Sequence, residues 1–272
     1  MNKLTLLVLT AMVAVATTGV AANESKAQAQ PTVYQEAYAL YVLKNPNNKA
    51  QSSQALVQQF NQDYAELFKQ SKKVNAEQFV AYEQQQLKNL MQQRREMSLK
   101  QTHVRYGILD ADKNQKLTLK EFQDVGLKGF NEYDKNNDGV VNAEDLKLVD
   151  QKETKTHDGF SVRLPISMPM ANNPTEFIRL YGQGKPYATL GDYLTGRDKQ
   201  YFATDSNQDF VVSEKEYVDE FMQRYDRNTE QGLEKMKDLS ARKFAAIANG
   251  SSTIQAKDVT KFAQKLDRAI SQ

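Results

Sequence analysis

The 272-residue chain carries 36 basic and 34 acidic side chains, so its formal net charge is only +2. Apolar residues make up 40% of the chain and charged residues 26%, which is typical of globular proteins. Because the basic residues form no long stripe, the sequence argues against nucleic-acid binding. The chain has no cysteine, which excludes a disulfide framework and lipid attachment through a cysteine.

Residues 1–22 have the pattern of a secretory signal peptide. Lys3 gives a positive start, the stretch up to Val20 is apolar or small, and Ala22 ends a run of small residues suited to cleavage. Ala29 marks a second candidate cleavage site. An uncleaved anchor is the alternative, although the stretch is at the short limit for a bilayer span. We expect a bacterial periplasmic or secreted protein with no membrane span after signal cleavage.

Residues 23–99 are predicted to form a Gln-rich helical segment. Fourteen glutamines fall between residues 31 and 106, where apolar residues recur at helical spacing. One stripe ends at Pro46, which cannot continue a helix, and Asn75 is predicted to cap the start of a later helix. Such stripes usually pack against one another within a domain, although they could also bind a partner helix or a membrane surface.

Three twelve-residue segments share one spacing of oxygen-bearing side chains: 110–121 (DADKNQKLTLKE), 134–145 (DKNNDGVVNAED) and 205–216 (DSNQDFVVSEKE). Each has Asp or Asn at positions one, three and five, and an aliphatic residue at position eight. Position nine carries a side-chain oxygen, position twelve an acid, and a hydrophobic residue follows. Polar turns alone would explain the first five positions, but not the aliphatic eighth or the final acid and hydrophobe.

This pattern resembles the EF-hand family, in which a twelve-residue calcium loop joins two helices. Ca²⁺ takes six to eight oxygen ligands, so alternate side chains turn towards the ion, position seven contributes its carbonyl, and position twelve supplies both carboxylate oxygens. The resemblance implies a metal site in each loop. The implied ligands are Asp110, Asp112, Asn114, Lys116, Thr118 and Glu121; Asp134, Asn136, Asp138, Val140, Asn142 and Asp145; and Asp205, Asn207, Asp209, Val211, Ser213 and Glu216.

The loops depart from the family pattern in two ways. Glycine stands at position six only in 134–145, whereas Gln115 and Phe210 occupy that sharp turn elsewhere; for Phe210 the strain is predicted to be about 1–3 kcal/mol. Asp145 is one methylene shorter than the usual glutamate, so that loop has to contract and its preference is expected to shift towards Mg²⁺. We expect two or three Ca²⁺ ions, bound weakly with dissociation constants of about 10⁻⁵–10⁻³ M, and tightest at 110–121.

Degenerate copies of the loop are predicted at 181–192, 226–237 and 247–258. The first and third lack acids at their starts, and the second has Lys237 at position twelve, where a cation cannot close a cation site. Because EF-hands normally pair, we expect neighbouring loops to form pairs. The expected pairs are 110–121 with 134–145 through a β contact of Leu117 and Val141, 181–192 with 205–216, and 226–237 with 247–258.

The predicted fold is all-α, with tandem compact EF-hand pairs, short β contacts between loops and an N-terminal helical segment before them. Dockerin modules have similarly close loops, but the apolar residues before each good loop favour complete helix–loop–helix units. The predicted ranges are a signal peptide at 1–22, the Gln-rich segment at 23–99, an EF-hand pair at 100–155, a proline-containing linker at 156–173, and a second EF-hand region with one good loop at 174–272.

The sequence offers no recognisable catalytic constellation. It has two histidines, His103 and His157, and none of the common nucleophile, zinc-protease, Walker or dinucleotide motifs. We therefore expect no enzyme. Three functions stay open: a calcium-binding protein that uses the metal for stability, buffering or calcium-dependent interaction; a scaffold or adhesion component that binds an unidentified envelope protein through its helices; and an unrecognised hydrolase with accessory hands.

Overall fold

A computed structural model describes residues 31–45, 53–148, 162–171 and 173–270. The predicted signal peptide, residues 149–155 of the predicted EF-hand pair, and residues 156–161 and 172 of the predicted linker lie outside these ranges. The prediction of a mostly helical protein is confirmed. None of the helices in the described ranges has an apolar stretch long enough for a bilayer crossing.

Ten helices and six two-residue strands occupy the described ranges. The helices are α1 (Val33–Lys44), α2 (Ser53–Asp63), α3 (Ala65–Gln70), α4 (Ala76–Leu109), α5 (Leu119–Asn131), α6 (Ala143–Leu148), α7 (Pro174–Tyr181), α8 (Leu190–Thr204), α9 (Glu214–Ala248) and α10 (Ala256–Ile270). The strands are β1 (Val74–Asn75), β2 (Leu117–Thr118), β3 (Val140–Val141), β4 (Ala188–Thr189), β5 (Val211–Val212) and β6 (Thr253–Ile254).

Each strand lies in a loop between two helices, and capping chemistry fixes where the outgoing helix begins. Asn75, Thr118 and Thr189 each end a strand, and Ser213 directly follows one; each of the four accepts a hydrogen bond from the backbone N–H three residues later. The side chain at that later position bonds back to the capping residue, which completes a capping box. In the loops, position nine is therefore the helix cap, and position twelve is the third residue of the helix.

The strands pair as a nested set, and all three pairs are antiparallel. The outer loop pair is joined by β1 and β6, the middle pair by β2 and β5, and the inner pair by β3 and β4. Leu117 faces Val212 and Val141 faces Ala188. The predicted contact between Leu117 and Val141 is therefore wrong, as is the pairing of neighbouring loops.

The spacing of the loops explains this pairing. Loops 110–121 and 134–145 start 24 residues apart, so a single helix, α5, leaves the first loop and enters the second. A helix of 13 residues places the two loops about 20 Å apart, at its opposite ends. Paired strands must lie side by side, so these two loops cannot pair with each other. They pair instead with the loops at the two ends of α8, which packs against α5 and runs in the opposite direction.

Two further loop assignments differ from the sequence prediction. Segment 226–237 forms no loop, because it lies inside the unbroken 35-residue helix α9. Segment 67–78 was not predicted as a loop, but it contains β1 and pairs with 247–258 through β1 and β6. The predicted loops at 181–192 and 247–258 both contain a strand at the expected place.

Helices α4 and α9, of 34 and 35 residues, pack against each other and connect the outer loop pair to the middle one. Helices α5 and α8 continue from the middle pair to the inner pair. The chain thus runs out through α4 and α5 and returns through α8 and α9. Leu164 and Ile166, from the described part of the predicted linker, are buried against the α4–α9 pair.

Aliphatic side chains at position eight form the centre of every loop pair. Val74, Leu117, Val141, Ala188, Val212 and Ile254 are all at most 1% exposed. Complete burial of a Val, Leu or Ile side chain stabilises a fold by about 1.5–3 kcal/mol. The aliphatic residue at position eight therefore has a structural role in all six loops, and this role does not depend on whether the loop binds a metal.

Candidate metal centre

The polar side chains of loop 110–121 fold over its backbone. Asp110 is buried at the end of α4; its Oδ1 accepts the N–H of Asn114 at 3.2 Å and its Oδ2 that of Gln115 at 3.0 Å. Asp112 Oδ1 accepts the Asn114 N–H at 3.1 Å, and Asn114 Oδ1 accepts the Lys116 N–H at 2.8 Å. The three side chains at positions one, three and five thus bend towards the interior of the same turn.

Glu121 joins the two ends of this loop. Its Oε1 accepts a hydrogen bond from the N–H of Ala111 at 2.9 Å. Its Oε2 accepts two hydrogen bonds from Thr118, one from the N–H at 2.9 Å and one from the hydroxyl at 2.7 Å. Burial raises the pKa of the Glu121 carboxyl, but these hydrogen bonds outweigh burial and hold the pKa below its ordinary value. The group is therefore an anion at neutral pH.

Asp110, Asp112 and Glu121 together form a compact group of carboxylates. Each offers one oxygen, and these oxygens all lie within 4.8 Å of one another. Two ligands on opposite sides of a Ca²⁺ ion, each at about 2.3–2.6 Å, are about 4.6–5.2 Å apart, so the group has suitable dimensions. In the described part of the chain, no basic side chain lies within 4.0 Å of these three carboxylates to offset their repulsion.

Loop 205–216 repeats the same hydrogen bonds at the same positions. Asp205 accepts the N–H groups of Asp209 and Phe210 at 3.3 and 3.0 Å, and Asn207 Oδ1 accepts the Asp209 N–H at 2.9 Å. Glu216 accepts the N–H groups at positions two, three and nine and the hydroxyl groups at positions two and nine. Burial opposes ionisation of Glu216, but these donors lower its pKa to about 2.

Loop 134–145 closes with the shorter acid. Asp145 Oδ1 accepts the Lys135 N–H at 2.8 Å and its Oδ2 accepts the Asn142 N–H at 2.8 Å, the same two positions that Glu121 contacts in its own loop. Asp145 is fully buried, whereas Glu121 is half-buried. The shorter side chain therefore makes the same contacts by lying deeper in the loop.

Within this loop, the remaining acidic and amide side chains also follow the common scheme. Asp134 accepts the N–H groups of Asp138 and Gly139 at 3.2 and 2.9 Å. Asn136 Oδ1 accepts the Asp138 N–H at 3.0 Å, and Asp138 Oδ1 accepts the Val140 N–H at 2.8 Å. Asn136 and Asn207 replace the acid that loop 110–121 has at position three, so in these two loops the acids among the predicted ligands stand at positions one, five and twelve.

The sharp turn expected at position six is present in all three loops. Gln115, Gly139 and Phe210 have φ values of 64°, 83° and 67°. Only glycine adopts this region without cost, so Gln115 and Phe210 are strained. The Phe210 side chain is 73% exposed and gains little from packing.

The side-chain oxygens at position nine already have hydrogen-bond partners within their loops. The hydroxyl groups of Thr118 and Ser213 already bond to the closing glutamates and cap the outgoing helices, and Asn142 Oδ1 accepts the Glu144 N–H at 2.7 Å. The Val140 carbonyl accepts the Asn142 side chain at 3.4 Å. Lys116 directly precedes β2, and Val211 is the first residue of β5.

In the other three loops, side-chain donors lie within the loop itself. In 181–192, Lys185 Nζ lies 2.6 Å from Asp192 Oδ2, and this contact is the main cause that lowers the Asp192 pKa to about 2. In 67–78 and 247–258, Ser71 and Ser251 at position five donate to the carbonyls of Lys73 and Thr253 at 2.6 and 2.7 Å.

No family model, curated protein or solved structure matches the chain. What the loops bind has to be inferred from their own chemistry.

Proposed function

We propose that the protein binds Ca²⁺ through loops 110–121, 134–145 and 205–216, as an exported EF-hand-like protein of the bacterial periplasm or exterior. The observation that carries this proposal is the group formed by Asp110, Asp112 and Glu121, whose oxygens lie within 4.8 Å of one another. Three anionic groups held this close are stabilised by a cation at their centre.

The donor set favours a hard cation. The proposed ligands are oxygens of carboxylates, amides, hydroxyls and carbonyls, and no histidine or cysteine is among them. Oxygen-only sites suit Ca²⁺ and Mg²⁺ rather than zinc or copper, which bind through imidazole and thiolate groups. The deeper position of Asp145 supports the contraction expected for 134–145, where we propose Mg²⁺ as an alternative ion.

The strand pairs suggest how the ions would act. Loops 110–121 and 205–216 form one pair, so two ions would lie on either side of β2 and β5. Loop 134–145 pairs with 181–192, in which the Lys185 ammonium already neutralises Asp192. Bound calcium would neutralise the repelling carboxylates and fix the angles between the flanking helices. We propose weak binding, suited to a compartment rich in calcium, and a structural or buffering use of the metal.

Calorimetric titration with Ca²⁺ and with Mg²⁺ tests this function. We expect two or three Ca²⁺ sites in the wild-type chain, and loss of the tightest site in Glu121→Gln, which keeps the shape of the side chain but removes its charge. Glu77→Gln is the matched control, because Glu77 is exposed at position eleven of loop 67–78, for which no metal site is proposed. No heat at millimolar Ca²⁺, or equal loss in both variants, would reject the proposal.

An exposed apolar face on α4 favours a second candidate function. Val104 and Ile108 are each 65% exposed and lie one turn apart, and Met97 is 52% exposed two turns earlier. We propose that this face could attach the protein to another envelope protein in the presence of calcium. A pull-down from envelope extract with Ca²⁺ and with chelator, compared with a Val104→Ser variant, distinguishes this role from buffering alone.

A further inference from the structure

A cleft of about 460 Å³ lies between the middle and inner loop pairs. Its walls come from α4, α5, α7, α8 and α9, and aromatic rings line much of it, among them Tyr133, Tyr181, Tyr217 and Phe221. This volume is within the range of small-molecule sites, about 300–1,000 Å³. None of the proposed metal ligands lines the cleft, so the cleft is separate from the calcium loops.

Three arginines line this apolar cleft: Arg105, Arg197 and Arg224. Arg224 is neutralised by Glu220, with N–O distances of 3.0 and 3.2 Å. Among the described residues, no carboxylate lies within 4.0 Å of the guanidinium groups of Arg105 or Arg197. Glu132 is the one acid among the residues that line the cleft, which leaves an excess of positive charge.

Arg197 is held rigidly in the wall. Its guanidinium carbon lies 3.9 Å from the centre of the Phe122 ring, and its Nη2 donates to the Phe122 carbonyl at 2.8 Å. Its Nε is buried without a hydrogen-bond partner among the described residues. The side chain also lies so close to Gly126 that a Cβ there would approach Nε to 2.3 Å. A fixed guanidinium loses little entropy when it binds an anion.

The three arginines share the cleft with Tyr217. Burial raises the pKa of the Tyr217 hydroxyl, and Arg105, Arg224 and Arg197 all act against that rise. The guanidinium carbons of Arg105 and Arg224 also lie over the Phe221 ring, 5.5 and 5.3 Å from its centre. Positive charge and aromatic faces therefore meet in the same small volume.

We propose that this cleft binds a small organic anion, a carboxylate carried on an apolar or aromatic body. The carboxylate would pair with Arg105 and Arg197, whose planar groups match its geometry, and the apolar body would lie among the tyrosine and phenylalanine rings. An anion is favoured over a neutral apolar molecule because, among the described residues, the guanidinium groups of Arg105 and Arg197 have no carboxylate partner beside this apolar surface.

Titration of the full chain with 4-phenylbutyrate and with 4-phenylbutanol tests this inference, since the two probes differ only in the charged head group. We expect one phenylbutyrate to bind per chain, and the alcohol to bind at least about tenfold more weakly. Arg105→Gln is expected to weaken phenylbutyrate binding about tenfold. Arg105 is exposed at the cleft, so this variant should fold normally, and Arg197→Gln provides a second test at a half-buried position.

Arg227→Gln is the matched control, because Arg227 is exposed on α9 three residues from Arg224 and does not line the cleft. It removes the same charge and is expected to leave binding unchanged. Far-UV circular dichroism and melting curves confirm the fold of each variant. The inference is overturned if phenylbutyrate fails to bind up to millimolar concentration, if the alcohol binds equally well, or if Arg227→Gln weakens binding as much as Arg105→Gln does.

Discussion

Lys243 and Glu83 form an ion pair that is buried between α9 and α4, and its removal should strongly destabilise the protein. Lys243 Nζ lies 2.7 Å from Glu83 Oε1, both side chains are only 2% exposed, and the Tyr64 hydroxyl donates to the same oxygen. Glu83 Oε2 has no hydrogen-bond partner among the described residues. Lys243→Met keeps the length of the side chain but leaves a buried carboxyl with a single donor. We expect a loss of about 3–5 kcal/mol.

Urea unfolding followed by circular dichroism, at fixed Ca²⁺ concentration, measures this loss. For a domain of this size, each kcal/mol shifts the melting temperature by about 2–4 °C, so a fall of about 6–20 °C is expected. Arg242→Met is the matched control: Arg242 is the neighbouring residue and pairs with Glu36 and Asp238, but at the surface, where such pairs contribute about 0–1 kcal/mol. Equal effects of the two substitutions would refute the reasoning.

The effect should also depend on pH. Burial raises the pKa of Glu83, but Lys243, Lys44 and the Tyr64 hydroxyl together hold it below its ordinary value. A carboxyl with a lowered folded-state pKa stabilises the protein above its unfolded pKa, and this contribution is lost as the pH falls through the folded pKa. In Lys243→Met, burial is no longer opposed by Lys243 and the folded pKa rises. The stability difference between the two proteins should therefore be smaller at pH 5 than at pH 7, and an unchanged difference would contradict this assignment.

Four further substitutions test the loops and the helices α4 and α9. Phe210→Gly removes a strained residue and should stabilise the protein by about 1 kcal/mol, measured by urea unfolding; a loss would show that the exposed ring has a packing role. Gly232→Ala should lower the free energy of unfolding by about 1–3 kcal/mol, because the new Cβ would lie 2.7 Å from the Cα of Ile166. Gly107→Ala is the comparison: its new Cβ meets no atom within 4 Å, so it should raise the free energy of unfolding by about 0.5–1 kcal/mol. Asp145→Glu should shift its loop from Mg²⁺ towards Ca²⁺ in competitive calorimetry, and unchanged selectivity would argue against a contracted site.

Local features of the sequence located most of the loops correctly. The aliphatic eighth position marks every strand, because it is the side chain that enters the core between paired loops. The residue at position nine marks most real loops: Asn75, Thr118 and Ser213 can cap a helix, whereas Glu234 stands at that position in 226–237. Loop 247–258 is an exception, with Gln255 at this position. Segment 226–237 has ligand-like residues but no residue that would begin a new helix, so α9 continues through it.

The partner of each loop could not be read from the same local pattern. Every loop presents a similar strand, so the choice of partner depends on whether a turn or a continuous helix follows it. Loop 67–78 was missed because Leu67, Lys69 and Ser71 stand at positions one, three and five, where carboxylates were expected. The cleft arginines come from α4, α8 and α9 and meet only through the tertiary fold.

Nested pairing gives the protein an order of assembly. The contacts Val141–Ala188, Leu117–Val212 and Val74–Ile254 join residues about 47, 95 and 180 positions apart in the chain. The entropic cost of closing a loop grows with its length, so the innermost contact is the least costly to make first, and each contact already made shortens the free chain that the next one must close. The strand pairs should therefore form during folding in the order inner, middle, outer. Pulse-labelled hydrogen exchange should show the amide of Val141 protected before that of Val74.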